Sequence, residues 1–138
     1  MEAVEQAMKT LIYPEARLNV EAAIEDLANT ELQQRAWIEK RVLPTGECPS
    51  FKDAVNWLFD DINLEKGANK FIGFLLYDNE EAERVDKLIN LLDNLLKKYG
   101  ARLQDEVYIR SPEWPHIVDA AKVCIDLLRI NDKANVST

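Results

Sequence analysis

The sequence predicts an all-α fold, a single-domain bundle of about six or seven helices spanning residues 1–138. Three observations carry this. Val85, Leu88, Ile89, Leu92, Leu95, Leu96 and Tyr99 recur at steps of three and four, which draws one stripe along a helix near 79–99, about six turns long. Shorter stripes of the same period recur at Phe51, Ala54, Val55, Leu58 and Phe59, and at Ile117, Val118, Ala121, Cys124, Ile125 and Leu128. The one run that reads as a strand, Phe71–Tyr77, has no partner strand elsewhere, so helix is the better expectation there.

In chain order, residues 2–12 read as a short helix with Val4, Ala7, Met8 and Leu11 on one side. Pro14 suits the first turn of a second helix, because proline has no N–H to lose there. Leu18, Ala22, Glu25 and Leu27 lie on its expected inner face, with Ile24 less well placed, and it should end near Asn29. Thr30 is the expected N-cap of a third helix, Glu31–Arg41, with Leu32, Ala36 and Trp37 facing inward. Pro44, Gly46 and Pro49 mark a loop over 42–49. Ser50 can cap a helix at 51–61, and 63–69 reads as a connector. Asp78 caps the long helix; Glu80, Glu81 and Glu83 suit its positive end, Lys97 and Lys98 its negative end, and Gly100 stops it. Leu91 widens its stripe. Residues 105–109 suit a single turn. Ser111-Pro112-Glu113 should open the last helix with Ser111 as N-cap, and the polar residues 131–138 should fray.

Composition limits the function classes. Apolar residues make up 47% and charged residues 30%, a globular balance. A net charge of −8 argues against nucleic acid as a partner, since phosphate contacts need clustered Lys and Arg, and against adhesion to anionic membranes. No apolar run approaches the roughly 20 residues that cross a bilayer. Glu2 and Glu5 stand where a secretory signal would be basic and then apolar, so the expected compartment is cytoplasmic. Cys48 and Cys124 make no Cys-x-x-Cys spacing and read as reduced structural thiols.

Catalytic templates lack parts. His116 is the single histidine, and Glu113-x-x-His116 supplies one of the two such pairs that a di-iron carboxylate bundle requires. Neither a metal nor another cofactor is expected. Carboxylates are the class in surplus. Asp60-Asp61 closes a helix where the dipole disfavours negative charge, and residues 78–86 hold five acids against Arg84. Trp37, Trp57 and Trp114 flank apolar stripes and suit the core. A partly exposed Trp57 beside these acids would instead be an interface anchor.

Tyr13-Pro14-Glu15-x-Arg17, Leu32-Gln33-Gln34-Arg35-Ala36-Trp37-Ile38, Leu58-Phe59-Asp60-Asp61, Ile72-Gly73 and Ser111-Pro112-Glu113-Trp114-Pro115 follow one another in the chain. This set resembles a family of small acidic helical bacterial proteins, well represented in streptomycetes, with no known activity. The resemblance covers most of 13–128, implies one bacterial domain and transfers no catalytic residue. In size, charge and helical content the chain is also similar to immunity proteins that neutralise nuclease toxins, a likeness of composition without a shared motif.

The resulting expectation is a non-enzymatic binding protein, an immunity protein that masks a basic toxin with an acidic face formed by Asp60, Asp61, Glu80, Glu81 and Glu83, with Trp57 beside them. Two alternatives stand next to it. One is a small metal- or carboxylate-dependent enzyme using Asp60, Asp61, Glu113 and His116. The other is a helical module that self-associates through exposed Trp or Leu.

Overall fold

Pro14 sits in the first turn of helix α1, Pro14–Ala28, where its missing N–H costs nothing. The computed structural model describes residues 10–42, 44, 46 and 50–135, with the side chains of 60, 61 and 65 outside that description. The expected helix at 2–12 and Cys48 therefore lie largely outside the described residues, while residues 10–13 precede α1 in non-helical backbone.

Helix α2 covers 30–38, a turn Thr30–Leu32 running into a π-helical turn Gln33–Ile38. Its cap is Asn29 rather than Thr30: the Leu32 N–H donates to Asn29 Oδ1 at 3.0 Å. Lys40 turns left-handed at φ 60°, so the helix stops short of the expected Arg41. Helix α3 covers 51–61 as Phe51–Val55 followed by a π turn, Asn56–Asp61. Ser50 caps it as expected, in a reciprocal box with Asp53. Two 3₁₀ turns follow, Leu64–Lys66 and Ala68–Phe71. The Ala68 N–H donates to Asp86, which ties the second turn to the long helix. That helix, α4, is Asn79–Tyr99 with Asp78 as N-cap and Gly100 at its end. Helices α5, Asp105–Ile109, and α6, Trp114–Ala134, complete six helices among the described residues.

Residues 72–77 correct the helical expectation. Gly73 adopts φ 89°, which a continuing helix cannot hold, and the Phe74, Leu75 and Leu76 N–H groups all converge on the Phe71 carbonyl. The result is a tight loop closed by a lone bridge between Ile72 and Leu76. The start of α6 differs too. Ser111 turns its hydroxyl onto the Tyr108 carbonyl at 2.7 Å, and the helix begins at Trp114 without a side-chain cap. Its far end holds helix through Ala134, four residues into the stretch expected to fray.

Helix α1 packs chiefly on α6, and α6 packs on α4. The last two run antiparallel, with Lys98 bonded to Glu113 at one end and Glu81 to Asn131 at the other. The stripes of α4 and α6 are buried as their periodicity requires. At the Trp114 end, Trp37, Phe51, Tyr108 and Trp114 stack edge-on and tilted, with Phe51 and Tyr108 only 4.7 Å apart. Gln33 threads this cluster, accepting from Trp114 Nε1 at 3.0 Å and donating to the Asp26 and Leu27 carbonyls. Cys124 is buried and free, and burial pushes its thiol up to about 12, so it stays protonated. No helix among the described residues is long and apolar enough to cross a membrane.

Candidate functional site

The acidic head of α4 is largely consumed by structure. Asp78 accepts from the Glu81 N–H, and Asp86 accepts from Ala68. Glu81 is not a surface acid: it is completely buried. Its position at the third residue of the helix turns it inward beside Ala82 and Val85. There Arg17 of α1 meets it in a two-pronged pair, both bonds 2.8 Å long. The Tyr77 N–H and Asn131 also donate to it, at 2.8 Å each. Of the predicted contacts on this helix, only Glu80 and Glu83 remain exposed. Trp57 is 39% exposed in the π turn of α3. Asp60 and Asp61 share that turn, and their side chains lie outside the described residues. The turn packs against 64–66, which in turn packs on α4.

Arg17 is the centre of a buried cluster that joins three helices and a loop. Besides Glu81, it donates to Asp132 Oδ1 at 2.8 Å and to the Leu75 and Leu128 carbonyls at 3.0 Å, and it lies 4.4 Å from the centre of the Tyr77 ring. All five guanidinium N–H bonds are thereby committed to protein acceptors. Burial opposes its charge, but Glu81 and then Asp132 outweigh that, so its pKa is pushed up and the cation is fixed. Glu21, one turn along α1, brings Oε2 within 3.2 Å of Arg17 Nε. The Nε–H is aimed at Asp132 instead, leaving that oxygen without a hydrogen bond. Burial, reinforced by Asp132, raises the Glu21 carboxyl to about 8, with Arg17 pulling back. At neutral pH Glu21 is therefore mostly protonated.

The inner face of α1 differs from the expected one, sharing Leu27 with it but turning Arg17 and Glu21 inward. Leu18 is 64% exposed, and Ala22 and Glu25 also face out. The buried set is Arg17, Val20, Glu21, Ala23, Ile24 and Leu27. The signal was present as a Val20–Ile24–Leu27 stripe whose extension toward the N-terminus meets Arg17 and Glu21, two charges four apart on an apolar face.

The cluster fixes the 72–77 loop, and the loop presents apolar surface. Arg17 holds the Leu75 carbonyl, and Glu81 holds the Tyr77 N–H. On the outer side, Ile12 and Tyr13 donate to the Gly73 and Phe74 carbonyls at 3.1 and 2.7 Å. These bonds bring the Tyr13 and Phe74 rings into a stack 6.0 Å apart, with both rings more than a third exposed. Beside them opens an apolar cleft of about 320 Å³ lined by Tyr13, Ala16, Ile62, Lys70, Phe71, Phe74 and Leu75. The Ile62 N–H donates to the Trp57 carbonyl, so the π turn holding Trp57, Asp60 and Asp61 ends on the cleft wall.

A family model matches residues 11–136, most of the chain. The chain belongs to the family Domain of unknown function (DUF7945). The match agrees with the resemblance to a family without known activity, and it reaches Asn131 and Asp132, where α6 meets Arg17. No curated protein and no solved structure matches the chain. Glu113, of the Glu113–His116 pair, bonds to the end of α4. Glu113 accepts from Lys98 at 2.5 Å and from Tyr99 at 2.8 Å, bonds that, led by Lys98, hold its carboxyl below the usual range.

Proposed function

We propose that this DUF7945 domain is a non-catalytic protein-binding domain that docks a basic protein at the Tyr13–Phe74 rim. One observation carries the reading: two stacked aromatic rings stand exposed over an apolar cleft, held from beneath by a fully committed ionic cluster. Rigid, partly exposed aromatic side chains lose little freedom on binding and serve as interface anchors. The net charge of −8 favours a basic partner, and the turn that carries Trp57, Asp60 and Asp61 ends at Ile62 in the cleft wall. Glu80 and Glu83 add negative charge on the outer face of α4. An immunity protein that masks a basic, nuclease-like toxin is the concrete form of this reading.

The test is affinity capture from the native host, run in parallel with wild-type protein and a Tyr13→Ala/Phe74→Ala double variant, followed by salt titration of the complex. Wild type should retain a basic protein whose association slows with salt, and the variant should bind it at least about tenfold more weakly. Equal retention by both proteins, or no partner at low salt, would count against the reading.

A further inference from the structure

A second groove shares no lining residue with the Tyr13–Phe74 cleft and carries more charged groups. It lies between α4 and α6, encloses about 360 Å³, and is lined by Arg84, Lys87 and Leu91 from one helix and His116, Asp119, Ala120 and Val123 from the other. Each set follows steps of three and four, so each forms a continuous helical face. The antiparallel register, fixed by Lys98–Glu113 and Glu81–Asn131, orders the groove along its length. Arg84 and Lys87 lie at one end. Leu91, Ala120 and Val123 form the middle, and His116 lies at the other end, with Asp119 next to it. Among the described residues neither Arg84 nor Lys87 has a carboxylate within ion-pair distance, a state they share with Lys40, Lys52, Lys66, Lys70, Arg102, Lys122 and Lys133. Arg84 and Lys87 are exposed and three apart on one helical face, which sets two cations side by side at this end of the groove. Val123 is 48% exposed and Leu91 half-buried, which leaves an apolar floor in contact with water.

We propose that this groove binds a small amphiphilic anion, with its carboxylate or phosphate head between Arg84 and Lys87 and its aliphatic chain along Leu91, Ala120 and Val123. Arg84 can grip such a head with two parallel N–H bonds, and Lys87 adds a point charge. Asp119 disfavours a second negative charge at the far end, so the site selects one-headed ligands over dicarboxylates. The chain length that fills the floor sets the affinity, because each buried methylene adds its own increment.

Chemical-shift titration of the full chain with acetate, hexanoate, octanoate and octyl phosphate tests this. Octanoate should bind at least about tenfold more tightly than acetate, with the largest amide shifts at Leu91, Ala120 and Val123. Comparison with octyl phosphate identifies which head is preferred. Arg84→Gln/Lys87→Gln should weaken octanoate at least tenfold, and Val123→Asp should abolish the dependence on chain length; the wild-type spectrum elsewhere reports that each variant is folded. Equal affinity for acetate and octanoate would overturn the proposal. So would shifts centred on the Tyr13–Phe74 cleft, or octanoate binding that the Arg84/Lys87 variant leaves unchanged.

Discussion

The two ends of α6 are anchored by buried polar clusters of contrasting chemistry. At its start, Trp114 meets Gln33 inside a wall of aromatic rings, a neutral amide–indole bond that carries no formal charge. At its end, Asn131 and Asp132 meet Arg17, Glu81 and Glu21, one guanidinium facing three carboxyl groups. The Trp114–Gln33 bond positions the helices at any moderate pH, with the buried Asp105 carboxylate beside it accepting from the Phe51 N–H. An ionic cluster ties position to protonation and to the pairing of every member, and it is the ionic end that supports the 72–77 loop and its exposed rings. The comparison locates the sensitive part of the fold beneath the proposed docking rim.

Removing one partner from each cluster should separate them most clearly. Arg17→Ala strands Glu81 in the interior without a counter-charge and should cost roughly 3–5 kcal/mol, read by urea unfolding. Converting the pair together, Arg17→Met with Glu81→Leu, should recover most of that loss, since a well-packed apolar pair often matches a buried ion pair. The double variant should still lose partner affinity, because the Leu75 carbonyl and Tyr77 N–H no longer have the side chains that hold the loop. A double variant as unstable as Arg17→Ala would show that packing, rather than the stranded charge, dominates this end.

The ionic end should also give the protein a pH dependence that the Trp114–Gln33 bond does not share. The Glu21 carboxyl is raised from 4.5 to about 8 on folding, so the folded state holds more protons than the unfolded state between those values. Stability contributed by this group is thus fully present below about 4.5 and declines as pH rises toward 8. A loss on the order of 2 kcal/mol between pH 5 and 8 is expected, below the roughly 3.5 kcal/mol that the unscreened shift would give over that range, because solvent screens part of the charge. Glu21→Gln should remove that component of the slope. Matching slopes for wild type and Glu21→Gln would mean that Glu21 is ionised throughout. At the aromatic end, Trp114→Phe leaves Gln33 Oε1 without its donor and should cost about 1–2 kcal/mol, with the pH slope unchanged.

The aromatic end was legible in sequence and the ionic end was not, for a physical reason. Trp37, Trp114 and the stripes of α4 and α6 are apolar residues at helical spacing, and burial follows from that pattern alone. Arg17, Glu21, Glu81 and Asp132 are residue types that normally face water, and their burial depends on meeting one another across long sequence separations. Glu81 illustrates the ambiguity. As an acid in the first turn of a helix it satisfies the dipole whether it points in or out, so local rules assign it a place without revealing its partner. The Tyr13–Phe74 stack is equally hidden, because it needs the 72–77 loop, where the lack of a partner strand points to helix. Trp57 is legible as a residue beside an apolar stripe, but the π turn that carries it and ends at Ile62 is not.

The smallest expected effect on stability is at the exposed acids. Glu80→Lys with Glu83→Lys reverses two charges near the N-terminus of α4, where the dipole favours acids, and leaves the bonds of the buried cluster in place. Stability should fall by no more than about 1–2 kcal/mol, mostly through that dipole. Glu81→Lys, one residue away, should unfold the protein or come close, since it places a second cation against Arg17. The contrast between neighbours on one helical turn separates acids that hold the fold from acids that face a partner. Partner association, measured at low and high salt, then determines what the exposed pair does. A slower on-rate in the Glu80→Lys/Glu83→Lys variant, converging with wild type as salt rises, would make these residues a steering field for a basic protein. An unchanged on-rate would confine recognition to the Tyr13–Phe74 rim and leave Glu80 and Glu83 as helix-end charges only.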